Sequence, residues 1–155
     1  MEIERKLAEM GLALPEPPRP VANYIPAVQV GDLVFVGGVA NRINGQLTCR
    51  GKVGREVSLE QAYAAARDCA LNHLAILKAH LGDLDRIERI VKVVVHVNSA
   101  PGFNQQPRVA NGESDLLVAL WGERGRHTRL ALGAAELFDD IPVETEIIVQ
   151  VAPEA

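Results

Sequence analysis

Val28-Gln29-Val30-Gly31-Asp32-Leu33-Val34-Phe35-Val36-Gly37-Gly38 decides how this chain begins its sheet. Two apolar runs flank Gly31-Asp32, and two such runs joined by a two-residue, glycine-containing turn read as a β-hairpin. Glycine in the first place suits a type II′ turn, which needs positive φ there. The glycine pair that closes the second run marks a bulge or a close approach of backbone.

Toward the C-terminus, residues 39–57 hold Gly45, Gly51 and Gly54 with few periodic apolar positions, so they read as a loop or irregular hairpin. Ser58-Leu59-Glu60-Gln61 is a capping box. It opens a helix whose Leu59, Ala62, Ala66, Cys69, His73 and Leu77 share one face, and Gly82 closes it. Ile87 to Val97 is apolar on both alternating sets, the pattern of an inner strand covered on both faces. Pro101-Gly102 breaks it. A second helix follows from Pro107 to Trp121, with Asn111-Gly112 weak formers near its start. Two strands, 128–135 and 143–151, finish the chain. The order β-β-α-β-α-β-β predicts an α+β domain, a mixed sheet with two helices on one face. The sheet's other face is then apolar and uncovered, which predicts packing against further copies of the chain.

Toward the N-terminus, Ile3, Leu7 and Met10 recur at helical spacing and Gly11 is a stop. Pro15, Pro17, Pro18 and Pro20 make an extended connector, because each disfavours helix at itself and before itself. Residues 1–20 are therefore expected to be a leader lying against a single domain, 21–155.

A net charge of −4 over 155 residues gives no basic footprint for nucleic acid or an anionic membrane. An aromatic content of 4% supplies no stacking platform for bases. No apolar run approaches membrane-spanning length, and the charged start is unlike a signal peptide. The chain reads as cytoplasmic, with Cys49 and Cys69 reduced and in no metal or redox motif.

The chemistry centres on Arg129, an arginine inside an apolar strand-like run, and on Glu144 in the following strand. A guanidinium cannot shed its charge, so a half-buried one needs an anion, from the protein or from a ligand. On neighbouring strands the two side chains would form a plain salt bridge. They would equally form a small-acid site with an acid/base group, and the residues alone leave both open. His73, His80, His96 and His127 lack metal-ligand spacing and read as packed or solvent-facing. Ser58 is a cap, Ser114 has no motif around it, and Gly51-Lys52-Val53-Gly54-Arg55 reads as a turn with solvated charges.

Asn23-Tyr24-Ile25-Pro26, the segment Val30 to Gly38, the helix, the valine-rich strand, Thr128-Arg129-Leu130-Ala131 and Pro142-Val143-Glu144 together resemble the RidA/YjgF family, long called endoribonuclease L-PSP. The likeness spans residues 21–151, and the leader and the Asn111-Gly112 segment look like a longer branch. It implies a chorismate-mutase-like α+β fold, a homotrimer and sites in clefts between subunits. It also implies hydrolysis of reactive enamines and imines, such as 2-aminoacrylate, to 2-ketoacids and ammonia without metal or organic cofactor. Carried over, Arg129 matches the carboxylate-binding arginine, Glu144 the glutamate associated with the water and Tyr24 the pocket tyrosine. Gly37 and Gly38 match a serine-glycine pair, and Ala131 takes the pocket cysteine's place. Where the family commonly reads Ser-Gly-Gln, this chain has Gly37-Gly38-Val39, so a hydroxyl and an amide are missing. A second reading is therefore a non-catalytic homotrimer that binds a small carboxylate metabolite. RNA cleavage, which some family names suggest, conflicts with the acidic charge and scarce aromatics.

Overall fold

The hairpin pairs β1 (Ala27–Val30) with β2 (Leu33–Val39) across Gly31-Asp32. Gly31 has φ 62° and Asp32 does not have positive φ, as a type II′ turn requires. This computed structural model describes residues 1–20 and 22–154; Val21 and Ala155, the outer bounds of the predicted domain, lie outside the described residues. Residues 39–57 contain a small hairpin of β3 (Arg42–Ile43) and β4 (Gln46–Leu47). After it come α2 (Leu59–Leu81), β5 (Ile87–Asn98), α3 (Gln106–Trp121), β6 (Thr128–Ala134) and β7 (Val143–Val151). The main sheet runs β1-β2-β7-β5-β6, and within it only β5 and β6 are parallel. The fold is α+β, with α2 and α3 against one face.

Each helix is fixed by a local device. On α2, Ser58 Oγ accepts from Gln61 N at 3.1 Å and Gln61 Oε1 accepts from Ser58 N at 2.9 Å, and Gly82 ends the helix at φ 83°. On α3, Pro107 sits in the first turn, where a missing N–H costs nothing. Gly112 is a packing requirement, not merely a weak helix former. A Cβ built there would lie 2.0 Å from the carbonyl oxygen of Tyr63 on α2. The leader begins with α1 (Glu2–Glu9), whose Ile3 and Leu7 are buried. Asp85 accepts from the amides of Glu2 and Ile3 at 2.8 and 3.0 Å, capping that helix from the domain.

The helix-facing set of the sheet (Val34, Val36, Val93, Val95, Val97, Val143, Ile147 and Val149) is buried in the core. The other set, including Val28, Val30, Phe35 and Leu130, is exposed in the single chain. Within the single chain the helices cover β5 on one face; on the other Lys92 is exposed, His96 half-buried and Val94 buried. The stretch 51–55 also departs from the expected solvated turn. Val53 is buried, and Lys52 reaches Asn98 Oδ1 at 2.8 Å and Glu136 at 3.3 Å, so this charge is held rather than solvated.

Candidate functional site

The glycine pair makes the floor of an open cavity of about 100 Å³. Between the register pairs Val36–Ile147 and Val39–Thr145, β2 takes three steps against two on β7, so Gly37 and Gly38 form a β-bulge. The bulge turns backbone toward the cavity, whose wall also holds Tyr24, Glu144, Asn72, Phe138 and, from the leader, Pro18, Arg19 and Pro20. Glu144 lies directly on the bulge. A Cβ on Gly38 would come within 3.2 Å of its Cγ and Cδ and 3.3 Å of its Oε2.

Helix α2 pins the bulge from below. Asn72 Nδ2 donates to Ala40 O at 2.9 Å and to Arg42 O at 2.7 Å. His73, fully buried, points Nε2 at Gly37 O at 3.3 Å and Nδ1 at Glu113 Oε2 at 2.7 Å. A carbonyl only accepts, so Nε2 carries a proton, and one further proton lies between Nδ1 and Glu113. The reading of His73 as a packed residue holds, but its carboxylate partner was not visible in the sequence. Between Phe138 and Ile141, which line the cavity, Asp139 and Asp140 both adopt left-handed φ, 57° and 54°. Asp139 is paired with Arg42 and Arg50, and Asp140 O accepts from Gly51 N at 2.8 Å, contacts that hold a conformation costing on the order of 1 kcal/mol or more per residue.

Arg129 stands elsewhere. In the register of the sheet it pairs with Val93, whereas Glu144 pairs with His96, and β5 lies between β6 and β7. Arg129 turns to α3 and Glu144 to the bulge, so within one chain the two are neither on neighbouring strands nor on one face. The intrachain salt bridge that neighbouring strands would have allowed is thereby excluded. Arg129 Nη1 donates to Asn111 Oδ1 at 2.7 Å and Ser114 Oγ at 3.2 Å, and Nη2 to Pro107 O at 3.3 Å. All three acceptors are neutral, and among the described residues neither Arg129 nor Glu144 has an ion-pair partner. Of five guanidinium N–H groups three are used, and the Nε–H stays free for a ligand. Ala131, two residues on, is half-buried against the core on the Arg129 side, away from Tyr24.

One chain thus assembles Tyr24, Gly37, Gly38 and Glu144 in one place and leaves Arg129 and Ala131 in another. Sequence reading also missed the surroundings of Ser114, whose hydroxyl meets His127 Nε2 at 2.8 Å. Neither thiol is poised to react. Burial first, then Glu113, pushes the Cys69 thiol far up, and burial with Asp68 raises Cys49. Among the described residues no three or more His, Cys, Asp or Glu side chains cluster so as to hold a metal ion, and no helix is long and apolar enough to cross a membrane.

A sequence model described as "YjgF/chorismate mutase-like, putative endoribonuclease" matches residues 4–143. Protein TCP17 of Trypanosoma cruzi is 40% identical over 151 residues, 96% of this chain and 93% of that protein. The crystal structure of Atu1372 from Agrobacterium tumefaciens, a protein of unknown function, is 40% identical and superposes with a TM-score of 0.89 over 97% of this chain and 92% of its own. RidA from Psychrobacter sp. PAMC 21119 is 26% identical, with a TM-score of 0.62 over 88% and 94% of the two chains. The match over most of its length places the chain in the YjgF/chorismate mutase-like family.

Proposed function

We propose that the protein hydrolyses reactive enamines and imines of the 2-aminoacrylate type to 2-ketoacid and ammonia, in clefts between the subunits of a homotrimer. The observation that carries this reading is the pair of uncompensated charges. Arg129 is held open by neutral acceptors, and Glu144 rests on a glycine bulge with no cation beside it. A cleft that takes Arg129 from one subunit and Tyr24, Gly37, Gly38 and Glu144 from the next joins what a single chain keeps apart. Exposed Tyr24, Phe138 and Leu130, together with the uncovered apolar face of the sheet, support an interface of that kind.

The chemistry asked of the residues is small. An imine is already electrophilic. Arg129 holds the substrate carboxylate through its free N–H edge, and Glu144 orients a water and accepts its proton. The Gly37 and Gly38 backbone lines the opposite side. The missing hydroxyl and amide at Gly37-Gly38-Val39 favour a second reading, a trimer that binds a small carboxylate metabolite without turning it over.

The test generates imines in situ with an amino-acid oxidase and traps the unreacted imine with semicarbazide. Wild type should remove the semicarbazone signal, and Arg129→Ala and Glu144→Gln should not. Co-refolding the two variants should restore activity in about a quarter of the clefts, since a composite site is whole wherever the intact halves meet. Wild type without effect on any imine would favour the binding protein. Two inactive variants that never complement would place both groups in one subunit's site.

A further inference from the structure

Ser114 does not behave as a helix serine ordinarily does. A serine inside a helix usually returns its hydroxyl to a carbonyl of the preceding turn. Here the hydroxyl leaves α3 and meets His127 Nε2 at 2.8 Å. The tautomer follows from the other ring nitrogen. His127 Nδ1 lies 2.7 Å from Gly125 O, which can only accept, so Nδ1 carries a proton, and in the neutral form of the ring Nε2 presents a lone pair. In that form Ser114 donates to His127, while its Oγ accepts from Arg129 Nη1 at 3.2 Å. The carbonyl that orients the ring is itself fixed. Gly125 is buried so tightly that a Cβ on it would lie 2.3 Å from Leu117 O.

A hydroxyl hydrogen-bonded to a base, the base oriented by a third group and a cation on the oxygen is the arrangement of an activated nucleophile. It opens on a shallow surface depression lined by Ser114, Val118, Arg126, His127 and Arg129. We propose that Ser114 and His127 are a nucleophile–base pair that takes acyl groups from small esters or thioesters bearing a carboxylate. Ser114 Oγ bonds to the acyl carbon as its proton passes to His127 Nε2. The ester C–O or thioester C–S bond breaks, and the departing alcohol or thiol carries that proton away. A water then attacks the acyl-serine, gives its proton to His127, and releases the acid as Ser114 takes the proton back. The guanidinium groups of Arg126 and Arg129 give the depression its preference for an anionic acyl chain.

The inference goes beyond imine hydrolysis and is read without it. Full-length protein is incubated with an alkyl fluorophosphonate, and the adduct is located by intact mass and peptide mapping. One adduct at Ser114 is expected. It should be absent in Ser114→Ala and form about a hundred-fold more slowly in His127→Gln, the scale of a lost general base. The 4-nitrophenyl ester of hydrogen succinate should slow the labelling and be hydrolysed faster than 4-nitrophenyl acetate. No adduct at Ser114 in the wild-type protein would overturn the proposal whatever the variants do. Labelling of His127→Gln at the wild-type rate, in protein of unchanged circular dichroism and oligomer size, would remove the base. Equal hydrolysis of the charged and neutral esters would refute the assigned substrate class.

Discussion

Gly112→Ala sets two effects of opposite sign against each other in one helix. Alanine is the better helix former by about 1 kcal/mol, so propensity alone predicts a more stable protein. The structure predicts the reverse. The new Cβ would sit 2.0 Å from Tyr63 O, 2.9 Å from the Tyr63 carbonyl carbon and 3.0 Å from Ala66 Cβ. The obstacle is mostly backbone, so no rotamer change relieves it. The helices must separate locally by about 1 Å or more to reach van der Waals distance. Overpacking of this kind costs about 1–3 kcal/mol, and a backbone obstacle puts this case at the upper end. After the propensity gain, the net loss is about 2 kcal/mol. At about 2–4 °C per kcal/mol for a chain of this length, Tm should fall by roughly 4–8 °C. The assay is thermal unfolding at one fixed protein concentration, because association shifts Tm by mass action. Ala119→Gly, at an exposed position of the same helix, is the matched control for propensity. Both substitutions should lower Tm. A Gly112→Ala protein as stable as wild type, or more so, would refute the packing argument.

Gly37→Ser tests the missing hydroxyl. A Cβ at Gly37 meets nothing closer than Pro26 O at 3.9 Å, and the residue is not left-handed, so serine should fold with Tm within about 1–2 °C of wild type. Imine turnover should rise, and a folded variant with unchanged turnover would show that the hydroxyl is not what limits the site. Asp85 caps α1. Burial opposes its charged form, but the amides of Ile3 and Glu2 and the terminal amine outweigh burial and hold the carboxyl down at about 2. Because that folded value is depressed, the contribution to α1 docking is complete above about pH 4 and fades as pH falls toward 2. Amide chemical shifts of Glu2 and Ile3 should follow this window in wild type and be flat in Asp85→Asn; identical titrations would remove Asp85 from the cap. With a disulfide-exchange reagent, half-buried Cys49 should react slowly and buried Cys69 only after unfolding. Fast native reaction of Cys69 would contradict its burial.

What could be read from the sequence was local. The hairpin turn, the capping box, Gly82 and the glycine bulge each depend on a few adjacent residues, and each appears where residue chemistry puts it. The uncovered sheet face was legible too, because alternation along a strand is local. Pairings across the fold were not. Arg129 and Glu144 belong to consecutive strands, which invites the reading that they are neighbours, yet β5 enters the sheet between β6 and β7. Strand order depends on how β5, α3 and β6 pack as a parallel unit, and no residue near Arg129 encodes it. Ser114 and His127 are 13 positions apart across the turn that follows α3, and Glu113 and His73 are 40 apart on different helices. Neither spacing matches any motif.

The segment that looked weakest in the sequence does the most positioning. Asn111, Glu113 and Ser114 occupy one turn of α3, wrapped around the glycine that seats it on α2. Asn111 and Ser114 hold Arg129. Glu113 holds His73, and His73 holds the carbonyl of Gly37 under Glu144. One helical turn therefore fixes the guanidinium on one side of the chain and the bulge on the other. Burying a carboxylate among apolar side chains is costly, and one oxygen of Glu113 has no partner, so the pair is poor as a source of stability alone. Its effect is to tie the Arg129 guanidinium and the glycine bulge to the same stretch of backbone. If each completes a different cleft, a shift of α3 against α2 reaches both clefts at once. Gly112→Ala is then also a probe of the site, and it should weaken imine turnover even in the fraction of protein that remains folded.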